Sequence, residues 1–205
     1  MASRTTPYTA NTDIQLWQQL KNGSELAFGK LLTSYFNPLQ NYGYKFVQDE
    51  DFVKDCVQEV FIEIWNRRDR ISTPDSVRAY LLSCVRKRVI REGYRQRILK
   101  DDDSVNLENE GGFVEFSPEW SMIEQESLAE TTHRIADALN KLPKRQREVI
   151  YLRFYQNLER DEIAAIMDVN PQSVSNLLQV AFKSFRENWV GLILLTAMVG
   201  MSFSK

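Results

Sequence analysis

The 205 residues predict an all-α protein of two small helical domains joined by a flexible acidic linker, the second domain containing a helix–turn–helix. Three observations lead there. Apolar residues recur at helical spacing between turn signals along most of the chain. Charge falls into three blocks: residues 1–100 carry net +5, residues 101–130 carry ten acids and no Lys or Arg, and residues 131–205 carry net +3. Residues 158–182 read as two short helices around a tight turn. A basic–acidic–basic layout suits a chain that meets a polyanion with both ends, and a solvated acidic linker would give the same middle block.

In the first block, Asn11-Thr12-Asp13 offers a cap for a helix bearing Ile14, Leu16, Trp17 and Leu20, which Lys21-Asn22-Gly23 stops. Ser24 caps a second, with Phe28, Leu31, Leu32, Tyr35, Phe36 and Leu39 at helical spacing. A third spans about 51–66, with Val53, Val57, Val60, Phe61, Ile64 and Trp65 inward and Asp55, Gln58, Glu59, Ile62 and Glu63 outward. A polar loop ending in Thr73-Pro74-Asp75 leads to a long helix over about 76–99, apolar at Val77, Tyr80, Leu81, Cys84, Val85 and Ile90. Its second half holds Arg86, Lys87, Arg88, Arg91, Arg95, Arg97 and Lys100 against the single acid Glu92.

In the 158–182 segment, Ile163, Ala164, Ile166 and Met167 face inward from a helix started near Asp161. Asp168-Val169 turns the chain, with Val169 as a core plug. Asn170 stands at the N-cap and Pro171 at the first helical position, where its missing N–H costs nothing. Val174, Leu177, Leu178, Ala181 and Phe185 make the buried stripe of the next helix. Its other face shows Gln172, Ser173, Ser175, Asn176 and Gln179, short polar groups of the kind that reach base edges, with Lys183 and Arg186 placed for phosphates. A helical hairpin with a solvated polar face would show the same pattern.

Cys56 and Cys84 lie among apolar neighbours and read as small buried hydrophobes rather than a disulfide. His133 is the only histidine, so no Cys/His pair has metal-ligand spacing, and neither a glycine-rich phosphate loop nor a Ser/His/Asp set is present. The expectation is a protein that is not an enzyme and uses no metal, cofactor or small-molecule substrate. The N-terminus lacks an apolar signal core, which points to the cytoplasm.

The arrangement resembles a bacterial RNA polymerase sigma factor of the extracytoplasmic-function (ECF) type of the sigma-70 family, over about residues 12–98 and 127–187. Gly23-Ser-Glu-Leu-Ala-Phe28 is similar to the family's Gly-Asp-x-x-Ala-Phe start. Asp55-Cys-Val-Gln-Glu-Val-Phe61 with Ile64-Trp65 is similar to its Asp-x-Val-Gln-Glu-x-Phe…Trp signature. Leu139-Asn-Lys-Leu-Pro-Lys-Arg-Gln-Arg-Glu-Val-Ile150 and Leu158-x-x-x-Glu162-Ile-Ala164 match its second-domain stretches. The chain departs from the pattern at Lys87, Arg91 and Tyr94 of the basic helix, at Glu159-Arg160, and in lacking Lys or Arg beside Ser175-Asn176.

The resemblance implies a factor that brings core RNA polymerase to promoter DNA, recognises −35 and −10 elements and assists melting. Residues 1–99 would bind polymerase and the −10 element, 100–126 would form the linker, 127–188 would bind the −35 element, and 189–205 would be an apolar tail. Asp55, Gln58, Glu59 and Glu63 would dock on polymerase, charge pairing orienting the contact, and Asp55 and Glu59, as exposed charges, would carry little weight in folding. Arg67, Arg68, Arg86, Lys87, Arg88, Arg91 and Arg95 would hold the −10 strand, the loop 66–75 capturing an unstacked base. Trp65 belongs with the core; Tyr80 and Tyr94 are open. Gln172, Ser173, Ser175, Asn176, Gln179, Lys183 and Arg186 would bind the −35 duplex. An anti-sigma factor is a further candidate partner. The second reading is a stand-alone helix–turn–helix regulator of duplex DNA, marked by a ligand pocket and a dimer seam that residues 1–100 do not show.

The connector from residue 100 to 125 can extend to roughly 85 Å, enough to join two separated DNA elements. Phe113, Val114, Phe116 and Trp120 favour docking over a plain tether, and its charge would draw it to the basic helix half in the free protein. The tail 189–203 has no charged residue and is too short to span a bilayer. Packing on its own domain, contact with a membrane surface and binding of a regulatory partner are its three readings.

Overall fold

The computed structural model describes residues 10–99, Phe116 and residues 126–202, with side chains from 12 to 96, at Phe116 and from 133 to 189. Helices supply all the regular structure among them: α1 (Ala10–Lys21), α2 (Glu25–Gly43), α3 (Glu50–Asn66), α4 (Val77–Leu99), α5 (Glu126–Asn140), α6 (Lys144–Ile150), α7 (Arg160–Met167) and α8 (Pro171–Ser202). The chain divides between α4 and α5 into two compact units.

In the first unit α2 packs against α1, α3 and α4. Ser24 caps α2 through Oγ, which accepts from the Ala27 N–H at 3.3 Å. Asp49 caps α3 in the same way, accepting from the Phe52 N–H at 3.0 Å. The inward face of α3 is Val53, Cys56, Val57, Val60, Phe61 and Ile64, with Trp65 half-buried at its edge. On α4 the stripe runs through Val77, Leu81, Leu82, Val85 and Val89; the expected Ile90 is half-buried instead. Steps of four residues from Leu81 keep one face, and Ile90 lies a further 100° round that repeat. Gly43 lets the helices approach closely, because a Cβ there would stand 2.7 Å from Val53 Cγ1.

The cap expected at residues 11–13 is not how α1 begins. The helix starts at Ala10, and Asp13 turns into the core at 6% exposure, where its Oδ2 accepts the Tyr35 hydroxyl. A partner on α2 outcompetes the local amides because it satisfies a carboxylate that burial has stripped of water. Burial raises the Asp13 pKa, and the Tyr35 hydrogen bond and the Arg78 charge pull it part of the way back.

In the second unit α8 packs on α5 and α6. After α6 the chain widens into a π turn over Tyr151–Tyr155, with the Gln156 N–H bonded to the Tyr151 carbonyl at 3.0 Å. The last helix does not stop near Phe185 but continues to Ser202, there being no Pro or Asn-Gly stop after Pro171 to end it. Trp189, at the start of the apolar tail, stacks on Phe185 at 5.9 Å and lies under Arg134 of α5, so the tail begins by packing on its own unit. The tail's side chains beyond Trp189 lie outside the described residues. No helix among the described residues is long and apolar enough to cross a membrane.

The Asp13–Tyr35 pair makes stability depend on pH. Asp13's folded pKa is raised, so its contribution is present in acid and lost as pH rises through the folded value. Tyr35→Phe removes a group that lowers that pKa and raises it further. The variant should lose about 1–3 kcal/mol at pH 7, the price of a buried carboxylate without its donor, and the deficit should shrink towards pH 4. Denaturant titrations at the two pH values check this; an equal deficit at both would assign the loss to packing alone.

Candidate nucleic-acid interface

The candidate site of the first unit is where α3, the loop after it and α4 meet. Asp55, Gln58 and Glu59 stand exposed along α3, with Ile62 exposed beside them and Glu63 half-buried. Glu59 and Glu63 are already engaged: Arg88 reaches across from α4, with Nη1 at 2.5 Å from Glu59 Oε2 and Nη2 at 2.7 Å from Glu63 Oε2. Arg67 adds a bond to the other oxygen of Glu63 at 2.9 Å. The Arg88 side chain retains 15% exposure, so it is a tie between two helices rather than a free surface cation. The expectation of little weight in folding is corrected for Glu59, and Glu63 is tied in the same way. Each is bound to a half-buried guanidinium, which exposed pairs are not.

Beside this tie lies a pocket of about 210 Å³ lined by Val60, Glu63, Ile64, Arg67, Ile71, Tyr80, Cys84, Lys87, Arg88 and Arg91. Its floor is apolar and its rim cationic. The loop over it is held from behind by Trp17, 1% exposed, whose indole N–H donates to the Ser72 carbonyl at 3.1 Å. The Trp17 ring meets Tyr80 edge-on at 5.2 Å. Burial, with Cys84 adding to it, pushes the Tyr80 hydroxyl up to about 12. Burial likewise raises both thiols, Cys56 to about 11, so each is a neutral thiol at pH 7; neither is in a disulfide.

The seven basic residues expected to face DNA are split. Arg67, Lys87, Arg88 and Arg91 line the pocket. Arg68 instead lies over the Trp65 ring at 4.4 Å and donates to the Trp65 carbonyl at 2.7 Å. Phe28 packs on Trp65 at 5.0 Å, so the indole, expected in the core, sits half-buried at its edge. Arg86 sits over Phe46 at 5.9 Å, and Arg95 approaches Glu92 at 3.7 Å. Sequence reasoning missed Ile71 as a lining residue and Trp17 as the support of the loop. Trp17 was legible only as a core residue, because nothing local to it announces a partner 55 positions away.

In the second unit α7 begins at Arg160, with the Glu159 N–H held by Glu162 Oε2 at 2.9 Å. Asp168 ends α7 in the left-handed region (φ 56°, ψ 53°), and the Val169 N–H bonds the Ala164 carbonyl at 3.0 Å. Val169 is half-buried rather than a full plug. Asn170 caps α8, its Oδ1 accepting from the Ser173 N–H at 2.7 Å, and Pro171 is the first helical residue. Val174 and Ala181 are buried, while Leu177, Leu178 and Phe185 are half-buried.

On the outer face of α8, Gln172, Asn176, Gln179, Lys183 and Arg186 are exposed; Ser173 and Ser175 are half-buried, Ser175 turned back to the Pro171 carbonyl at 3.4 Å. Gln172 Nε2 donates to Asn176 Oδ1 at 3.1 Å, coupling the two amides. A recess of about 350 Å³ runs along this face, lined by Arg145, Val169, Ser173, Asn176, Leu177 and Val180. Arg145 and Val180 were not foreseen, although Val180 stands one turn after Asn176 and could have been read from spacing. Among the described residues no cluster of His, Cys, Asp and Glu could hold a metal.

Two helical units, one with a pocket lined in part by cations and one with a capped, polar-faced helix–turn–helix, define a two-domain all-α class. Comparison with known proteins narrows it. The sigma-70 region 2 model matches residues 31–97 and the sigma-70 region 4 model residues 132–184. RNA polymerase sigma factor CnrH of Cupriavidus metallidurans is 28% identical over 171 residues, covering 80% of this chain and 87% of that protein. The ECF RNA polymerase sigma-E factor of Escherichia coli K12 is 27% identical over 164 residues, covering 77% and 83%. Among solved structures, CnrH in complex with the cytosolic domain of CnrY matches with a TM-score of 0.55 at 22% identity, over 88% of this chain and 96% of that one. The sigma factor RpoE in complex with the anti-sigma factor NepR from Bartonella quintana gives 0.55 at 19%, over 78% and 95%. Both share the helical fold.

The chain belongs to the sigma-70 family, as a member of its ECF type. It is a sigma factor that directs RNA polymerase to promoters, and the stand-alone regulator is not favoured, since both sigma-70 regions occur in order on one chain. Sigma factors are non-catalytic initiation factors.

The α8 cap gives the interface a stability test. Asn170→Ala removes the acceptor of the Ser173 N–H and should cost about 1 kcal/mol. Asn170→Asp, which keeps the acceptor, should cost little. Thermal unfolding of the two variants checks it, and equal losses would show that the cap bond carries no weight.

Proposed function

We propose that α3 and α4 divide the work of the first unit, α3 docking on core polymerase through Asp55, Gln58 and Glu59 and α4 holding the −10 strand. The observation that carries this is the pocket under the Trp17-supported loop, apolar within and rimmed by Arg67, Lys87 and Arg91. It has room for one flat heterocycle, and extruding a base costs a few kcal/mol that such burial, with phosphate contacts at the rim, would offset. Arg88 serves as the tie between the two faces, and Arg68 and Arg86 as packing residues with their charge at the margin.

The second unit, residues 127–188, reads the −35 duplex. The coupled Gln172–Asn176 amides present the donor and acceptor chemistry that suits adenine, with Gln179 beside them and Lys183 and Arg186 on phosphates. The protein acts in the cytoplasm and performs no chemistry of its own. An anti-sigma factor is a partner by analogy with the RpoE–NepR complex.

The deciding experiment adds the pure protein to core polymerase and looks for promoter-specific run-off transcripts; none above core alone would sink the proposal. Asp55→Arg should abolish co-purification with polymerase while the melting temperature holds. Glu59→Arg would also set two guanidinium groups together at Arg88 and so destabilise the fold. Lys87→Ala should weaken −10 binding for all sequences and lower the salt slope by about 1.

On the −35 side, Gln172→Ala should cost roughly 1–3 kcal/mol and change preference at one or two positions, whereas Lys183→Ala should weaken every sequence alike. A selection from randomised duplexes separates the two. The same uniform loss in both variants would refute the division of roles.

A further inference from the structure

The recess beside α8 is not explained by the amides proposed to read bases. Val169, Leu177 and Val180 give it apolar lining, and Ser173, Asn176 and Arg145 complete it. Val180 is 50% exposed, one turn after Asn176 on a helix whose outer face otherwise shows amides and cations. The amides of Gln172 and Asn176, already bonded to each other, thus stand beside an apolar opening. Its cation is Arg145, which comes from α6 rather than α8. Arg145 is exposed, and among the described residues no ion pair or hydrogen bond engages it. Arg153 and Arg160, by contrast, are taken up by Glu159 and Asp161, each at 3.0 Å, and Arg147 is buried.

Resting on the −35 reading above, we propose that this recess seats the 5-methyl group of a thymine while Arg145 holds a backbone phosphate next to it. In the major groove only thymine shows a methyl group, so an apolar contact marks that base without any hydrogen bond. An amide reader and an apolar seat on one helix therefore suit a run of A·T pairs, adenine edges meeting Gln172 and Asn176 and a thymine methyl meeting Val180. Cytosine, which fits the same space, brings no methyl and an amino group that would lose its water there. Arg145 falls to phosphate for a geometric reason. The groove is about 12 Å wide and admits one helix. With α8 in it, the α6 that packs on α8 meets the sugar–phosphate wall. Affinity then comes from two helices and discrimination from one.

The test uses the full chain on core polymerase and the duplex it prefers from a randomised pool. Each thymine of that duplex is replaced in turn by deoxyuracil, which differs by the methyl group alone. One replacement should weaken the parent's binding about fourfold, the worth of one buried methyl. In Val180→Ala that thymine-to-deoxyuracil ratio should fall towards 1 while preference at the amide-read positions stays. Arg145→Ala should weaken every duplex alike, lower the salt slope by about 1 and leave the ratio intact, and Arg145→Lys should keep the parent's slope. Both side chains are exposed, so the variants should melt where the parent does. A preferred duplex without thymine, or equal ratios for the parent and Val180→Ala, would overturn the seat. Lost co-purification of Val180→Ala with polymerase at an unchanged ratio would assign the recess to polymerase and overturn it too. An Arg145→Ala variant that changes preference at one position, or keeps full affinity, would overturn the phosphate contact. A parent that draws no preferred sequence from the pool would overturn the −35 reading itself, a failure told apart because no thymine could then be singled out.

Discussion

The bridge from Arg88 to Glu59 and Glu63 is the contact on which the first unit's two faces depend. α3 carries its outward acids and α4 its outward bases on adjoining rows, and helices that pack side by side must bring such rows together. One guanidinium spanning two carboxylates one turn apart does so at 2.5 and 2.7 Å, and Arg67 completes the set at 2.9 Å. The bridge fixes the rotation of α4 about its axis. With Val77, Leu81, Val85 and Val89 inward, Lys87 and Arg91 are left on the pocket rim. It also changes the charge accounting of the proposed interface. Seven cations are present in sequence, but Arg88 is committed to carboxylates and Arg68 and Arg86 lie over aromatic rings, so fewer are open to displace counterions from DNA.

What could be read from the sequence was what local rules decide. The caps at Ser24 and Asn170, the stripe through Val53, Val57, Val60, Phe61 and Ile64, and Pro171 opening α8 all follow from spacing within a turn or two. The motifs placed both halves of the chain in the family before any contact was known. Three residues were not legible, for one shared reason. Asp13 looked like a cap but meets Tyr35, 22 positions on. Arg88 looked like a phosphate contact but meets Glu59, 29 positions back. Phe116 was expected to dock on an apolar surface, but that its backbone would meet Asn140, 24 positions on, could not be read. In each case a polar group had a good local or solvent-facing option, and a distant partner made a better one by excluding water from the contact.

The closed state expected of the free protein, with the connector laid on the basic helix half, must be judged against that last contact. Asp101, Asp102, Asp103, Phe113 and Trp120, on which it turned, lie outside the described residues. Phe116 was expected to help fasten the connector to an apolar surface, and it does have one, formed by Tyr155 on the second unit. Anchoring there removes one of the apolar groups available to a closure on α4, and the charge attraction that would also drive it is screened by salt.

The second unit places affinity and selectivity at different heights on one helix. Near the α8 N-terminus the polar groups are uncharged, and the bond from Gln172 to Asn176 holds two amides in mutual register before any ligand arrives. That lowers the ordering cost of reading a base, about 0.5–1.5 kcal/mol for each flexible side chain otherwise immobilised on binding. It also leaves Gln172 Oε1 as an acceptor and both Asn176 N–H groups as donors, so recognition turns on directional hydrogen bonds that a wrong base cannot satisfy. The cations Lys183 and Arg186 come two to four turns later, exposed and able to follow a phosphate chain without regard to sequence. The first turns of α8 carry no cation of their own, but Arg145 of α6 lines the recess that Ser173 and Asn176 also line. The charge nearest the reader amides therefore comes from another helix, while the directional groups stay on α8.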